Sequence, residues 1–145
     1  MSVPVITCMP ETWLAQAARV IQREDCGMLP VVDSDGRVVG IITDRDISLA
    51  IAASNRSPRA IAVHEVMTKS PVVAREDDDL SAALSAMGRR RVRRLPVLDS
   101  AGRLTGMLSL DDIVIRGIEG GAVSAGEVVN TLRGLYERRP APVAG

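Results

Sequence analysis

The apolar residues of this chain alternate between helical and strand-like spacing, and that alternation predicts its elements. Leu14, Ala17, Ala18 and Ile21 recur at the period of a helix. Pro10-Glu11-Thr12 suits its first turn, and Asp25-Cys26-Gly27 closes it, with Gly27 just past the cap. Two short apolar runs follow, residues 29–32 and 38–42, separated by Asp33-Ser34-Asp35-Gly36-Arg37. They predict a hairpin whose turn uses Gly36 at positive φ. A second helix is predicted over 44–53, with Ile47, Ala50 and Ile51 on one face. Residues 3–6 predict a leading strand, where Pro4 fits an edge or a strand start. Residues 54–60 read as a polar linker.

The same pattern then returns. Residues 29–47 recur as residues 95–113 without a gap, and ten of the nineteen columns are identical. The second copy predicts a helical turn over 63–68, a strand over 70–74 and a helix with Leu80, Ala83, Leu84 and Met87 as its buried stripe. Asp77, Asp78 and Asp79 favour the start of that helix. Its hairpin turns at Gly102, and a helix follows over 111–117. Residues 119–122 form a joint. Ser124 and Glu127 make a capping box for a last helix reaching about residue 138, with Val128, Val129, Leu132 and Leu135 apolar. Residues 140–145 read as a frayed tail. The expected division is 1–58, 59–118 and 119–145.

Composition narrows the function classes. The 145 residues are 46% hydrophobic and 25% charged with net charge zero, so no global field favours nucleic acid or membrane. No apolar run reaches membrane-spanning length and no signal-peptide pattern is present. Cys8 and Cys26 read as free thiols in a reducing cytoplasm. One histidine, His64, makes a metal site unexpected. Trp13 and Tyr136 are the aromatics and there is no Phe, so a stacking platform for single-stranded nucleic acid is not available.

Leu29-Pro30-Val31-Val32-Asp33 and Gly40-Ile41-Ile42-Thr43-Asp44-Arg45-Asp46-Ile47, with their counterparts over 95–99 and 106–113, resemble a tandem pair of CBS domains (a Bateman module). The signature Gly-apolar-x-Ser/Thr-x-x-Asp occurs twice. The resemblance covers roughly residues 3–117. It implies an α/β fold of two βαββα repeats packed as a pseudo-twofold pair, here with a C-terminal helix added. It also implies a homodimer and a regulatory ligand built on adenosine: AMP, ADP, ATP, S-adenosylmethionine or a cyclic dinucleotide. One departure is visible. The turn at residues 64–67 leads the second repeat, and the first repeat has none. The last helix is expected to fill the place so left.

The chemistry is expected at Thr43, Arg45 and Asp46, and at Ser109, Asp111 and Asp112. A hydroxyl at a helix start, beside free backbone N–H groups, suits phosphate. A carboxylate one turn on lies on the same face and suits ribose hydroxyls. The same Ser/Thr-x-x-Asp spacing is also a helix cap that needs no ligand. The two roles are compatible. Leu110 replaces the Asp44 position in the second copy, so the first is expected to follow the family more closely. Five of residues 89–94 are Arg, open to three readings: a solvated face, phosphate contact led by Arg94, or a nucleic-acid patch. Val5, Ile6, Val72, Val73, Pro30 and Pro96 are candidates to hold the base, or plain core. No nucleophile–base set and no Walker-type loop occurs, so no enzyme is expected. A ligand sensor acting through a partner protein or dimer rearrangement is the leading reading. A dimeric scaffold with vestigial sites is the rival.

Overall fold

A computed structural model describes residues 5–137, which form two compact units. The first holds residues 5–71 together with 98–106; the second holds 72–97 and 107–137.

In the first unit α1 (Leu14–Arg23) leads to β1 (Met28–Val32), β2 (Val38–Thr43) and α2 (Asp44–Ala53). A 3-10 turn, Val63–Glu65, and the short β3 (Thr68–Lys69) complete it. The sheet runs β1-β2-β3, all antiparallel, with Leu29 opposite Ile42 and Val31 opposite Gly40. Leu14, Ala17 and Ile21 of α1 pack with Leu29, Val31, Ile42 and Ile47, and Ile61 and Val63 close the same core. Gly40 is required by close approach: a Cβ there would lie 2.9 Å from the Thr68 carbonyl oxygen and 2.6 Å from Met67 Sδ.

The turn of residues 99–103 groups with this unit and clasps the turn of residues 33–37. The clasp is reciprocal. Val38 N donates to Gly102 O (3.3 Å) and Leu104 N to Gly36 O (3.1 Å). Arg37 Nε donates to Ala101 O and Arg103 Nε to Asp35 O, both at 3.3 Å. Each turn is preformed by its aspartate. Asp33 Oδ1 accepts from Asp35 N and Arg37 N; Asp99 Oδ1 accepts from Ala101 N and Arg103 N. Gly36 and Gly102 sit at φ of 80° and 81°, where a side chain would be strained.

The chain continues as β4 (Ala74–Arg75), α3 (Leu80–Arg90), β5 (Arg94–Leu98), β6 (Leu104–Ser109) and α4 (Leu110–Asp112), all in the second unit except residues 98–106, the end of the β5–β6 hairpin. α4 continues as a wider π turn over Ile113–Gly117, and α5 (Ala125–Tyr136) follows. The sheet order is β4-β5-β6. Of the expected stripe of α3, Ala83, Leu84 and Met87 are buried and pack with Leu95, Leu110, Ile113, Val123 and Val128, while Leu80 is half-buried against the same core. α5 lies on α3, and the two backbones nearly touch: a Cβ on Gly134 would lie 2.7 Å from Gly88 O.

The trailing segment closes the second core as residues 61–63 close the first. In the first unit Leu14 N, at the start of α1, donates to Ile61 O (2.9 Å). In the second, Ser81 Oγ at the start of α3 donates to Ala122 O (3.4 Å), and Val123 is buried.

Several expected elements differ. Of the strand at 3–6, residues 3 and 4 lie outside the described residues, and Val5 and Ile6 are irregular. One parallel bridge forms instead, Cys8 to Val31, with Cys8 N donating to Pro30 O and Val32 N to Cys8 O. The next bond of a parallel ladder needs an N–H at residue 30, and proline has none. Pro96 holds the same place in β5, and the strand expected over 70–74 shrinks to Ala74–Arg75, with Ser70 at φ 53°. α1 starts at Leu14 because Pro10–Thr12 are taken by a turn in which Thr12 Oγ1 accepts from Met9 N. Asp25, not Gly27, takes the left-handed position after α1 (φ 49°). α5 ends at Tyr136. The expected tail lies outside the described residues.

The α3–α5 contact yields a test. Gly134→Ala should cost stability in denaturant melts, because overpacking of about 1–3 kcal/mol outweighs a helix-propensity gain of up to about 1 kcal/mol. Gly126→Ala, in the same helix but with only Ser124 Oγ nearby at 3.8 Å, should be neutral or stabilising.

Candidate functional site

The two Gly-apolar-x-Ser/Thr-x-x-Asp segments each end a strand and open a helix, so each hydroxyl falls at an N-cap. Thr43 Oγ1 accepts from Asp46 N (3.0 Å), and Asp46 Oδ2 accepts from Thr43 N (3.0 Å). Ser109 Oγ accepts from Asp112 N at 3.1 Å. Thr43, Asp46, Ser109 and Asp112 are half-buried, whereas Arg45 and Asp111 are exposed. The capping role is therefore observed at both helix starts. The Asp112 carboxyl sits below its ordinary value: partial burial raises it, and hydrogen bonding, that of Ser109 included, lowers it by more.

The helix starts are not equivalent. At α2, Asp44 N donates to Gly27 O (3.1 Å), Arg45 N to Asp44 Oδ1 (2.8 Å) and Asp46 N to Thr43. All three N–H groups are thus engaged. At α4, Leu110 N donates to Arg93 O (2.8 Å) and Asp112 N to Ser109, but Leu110 has no side-chain acceptor to offer Asp111 N. The sequence difference at residue 110 thus removes from the second helix start one acceptor that Asp44 supplies at the first.

Pro30 and Pro96 are fully buried, while Val5, Val72 and Val73 are half-buried and Ile6 is 37% exposed. Arg94 opens β5 and is exposed. The arginine run divides by partner. Arg91 Nη2 donates to Glu137 O (2.9 Å) and Arg93 Nη1 to the Tyr136 hydroxyl (2.6 Å). Arg89, Arg90 and Arg94 are exposed and have no ion pair among the described residues. Sequence reading missed Arg93 as distinct from its neighbours; its signal was Tyr136, one of only two aromatics, placed beyond the second repeat.

Two grooves lie elsewhere. One of about 450 Å³ runs between α3 and α5 past Ser81, Ser85, Arg89, Glu127 and Asn130; one of about 250 Å³ lies between α1 and α2 and includes Asp44. Neither is lined by Thr43 and Asp46 or by Ser109 and Asp112. Glu127 is held below its usual range by hydrogen bonds from Ser81 and then from Ser124 N, so it ties α5 to α3. Among the described residues no cluster of His, Cys, Asp and Glu suits a metal ion, and no helix is long and apolar enough to cross a membrane.

The sequence model of the CBS domain matches residues 1–53 and 63–118. The chain belongs to the CBS-domain family. Its α/β fold is that of a tandem CBS pair with a C-terminal helix. It is 43% identical over 110 residues to the inosine-5′-monophosphate dehydrogenase of Mycobacterium tuberculosis, a match covering 75% of this chain and 20% of the enzyme. The chain thus spans about a fifth of the length of that relative, and the likeness carries nothing about dehydrogenase chemistry. An uncharacterised 17.7 kDa protein of Acidianus ambivalens is 39% identical over 109 residues, covering 75% of this chain and 65% of its own. Among solved structures, a CBS domain pair in complex with 5′-methylthioadenosine and S-adenosyl-L-methionine matches with TM-score 0.70 at 30% identity, covering 85% of this chain and 94% of that one. A CBS protein in complex with AMP matches with TM-score 0.70 at 27% identity, covering 81% and 90%.

Two outcomes follow for these CBS repeats. Thr43→Ala and Ser109→Ala should each lower unfolding stability by about 1 kcal/mol, the usual worth of an N-cap. Burial pushes the Cys8 thiol up to about 12, so the folded protein keeps it protonated. Iodoacetamide at mildly alkaline pH should label Cys26 and spare Cys8 until the protein unfolds. The raised value also means that stability falls as pH rises above the ordinary thiol range of about 8.5, where only the unfolded chain releases that proton.

Proposed function

We propose that this chain is a regulatory module that senses an adenosine-containing ligand: AMP, ADP, ATP, S-adenosylmethionine or a cyclic dinucleotide. One observation carries the reading. Each repeat sets a hydroxyl and a carboxylate one turn apart at a helix start, in a family whose relatives include pairs solved with AMP and with S-adenosyl-L-methionine. Thr43 or Ser109 and the neighbouring N–H groups would take phosphate. Asp46 or Asp112 would accept from the ribose hydroxyls. Arg45, Asp111 and Arg94 would complete the polar side, and Val5, Val72, Pro30 and Pro96 the apolar one. No catalytic step is assigned to the protein. Its place is the cytoplasm, in keeping with two cysteines that form no disulfide.

Output would pass through a homodimer or an effector protein. Leu49 and Ile51 of α2 remain 57% and 40% exposed, and Ile115 and Ile118 after α4 remain 62% and 40% exposed. Apolar faces of this kind suit a second copy. The same faces, with caps already satisfied by the protein itself, favour the second reading, a dimeric scaffold whose sites no longer bind.

Isothermal titration of stripped protein with AMP, ATP, S-adenosylmethionine and cyclic di-AMP separates the two. Saturable binding of at least one is expected. Asp46→Asn and Asp112→Asn keep an acceptor for the cap but lose the charge, so the variant at the occupied site should bind at least about tenfold more weakly. Absence of heat with every compound would leave the scaffold.

A further inference from the structure

Arg93 stands where the second helix start meets the C-terminal helix. Its carbonyl accepts from Leu110 N at 2.8 Å, inside the Ser109–Asp112 segment. In the first repeat the corresponding acceptor, for Asp44 N, is Gly27, which has no side chain. The Arg93 side chain uses both ends of its guanidinium. Nη1 donates to the Tyr136 hydroxyl at 2.6 Å, with the guanidinium 5.9 Å from the ring centre. Nη2 lies 3.6 Å from Asp111 Oδ1. One residue therefore touches the last turn of α5 and the candidate second ligand site together. Arg91 adds a bond to Glu137 O at the same helix end.

This end of α5 is held on one face only. Thr131 is buried and Gly134 rests on Gly88, but Leu132 and Tyr136 are 37% and 61% exposed. The Arg93 and Asp111 side chains are 56% and 77% exposed, so their ion pair is weak and readily exchanged for a better anion. A phosphate offers a planar guanidinium a bidentate partner that neither a phenol nor a distant carboxylate matches.

We propose that Arg93 is a positioning residue that latches α5 to the second helix start, and that an anionic adenosine ligand at Ser109 and Asp112 draws Arg93 away and frees the last turn of α5. This rests on the sensor reading above. Ligand occupancy then changes the exposure of α5, the face a partner protein would read. By linkage, whatever loosens the latch must tighten the ligand by the same factor.

The test is hydrogen exchange over residues 131–137 of the full chain, with and without AMP, in wild type, Tyr136→Phe and Arg93→Met, alongside AMP titration. Tyr136→Phe keeps the ring and removes one hydrogen bond, so it should speed exchange at 131–137 without ligand and tighten AMP about fivefold. AMP should speed exchange there in wild type and not in Arg93→Met. If AMP binds yet leaves or slows exchange at 131–137, or if Tyr136→Phe binds it unchanged, the latch is refuted and the sensor reading stands. If AMP does not bind, ligand coupling through Arg93 falls with AMP sensing; unchanged exchange in both ligand-free variants would then refute the latch itself.

Discussion

A βαββα repeat of about sixty residues buries so little apolar surface that it is marginal alone, and this shortage organises the molecule. Each core is closed by residues that follow its own hairpin and helix. Ile61 and Val63 complete the core built on Leu14, Leu29 and Ile42. Val123 and Val128 complete the one built on Leu84, Leu95 and Ile113. The reciprocal clasp of residues 35–38 and 101–104 adds backbone bonds between two preformed turns, where glycine and aspartate have already lowered the entropy of ordering. α5 is thus a structural part of the second unit, and this makes a change in its last turn consequential.

The helix starts carry two demands at once. A helix needs its first N–H groups satisfied, and an anion site needs them available. At α2 the protein meets the first demand fully, with Gly27 O, Asp44 and Thr43 as acceptors. At α4, Leu110 in place of an aspartate relaxes it. A nucleotide would exchange internal bonds for its own at both sites; the second differs in that residue 110 gives Asp111 N no side-chain acceptor. The repeats have the same design but different readiness.

Local features were legible in the sequence. The hairpins, α2, the Ala83–Leu84–Met87 stripe and the Ser124–Glu127 box all follow from patterns within a few residues, and the duplicated signature placed both caps. Features that depend on a distant partner were not. The leading strands are cut short, to a single bridge in the first repeat and to Ala74–Arg75 in the second, because Pro30 and Pro96 deny the neighbouring chain a donor, a constraint visible only when strands are paired. Asp25 supplies the left-handed residue that Gly27 was expected to give, since the chain turns one step after Glu24. Within the arginine run the sequence singled out Arg94, beside Leu95-Pro96; nothing in it marked Arg93, which the fold sets apart by bringing Tyr136 beside it.

The most direct test of the central claim is a two-dimensional amide spectrum of the stripped protein titrated with AMP, and in parallel with adenosine lacking the phosphate. The account predicts saturable shifts centred on residues 43–46 or 109–112, larger and at lower concentration for AMP. Shifts centred elsewhere, or equal responses to the two compounds, would contradict a nucleotide grip built on the helix-start hydroxyls.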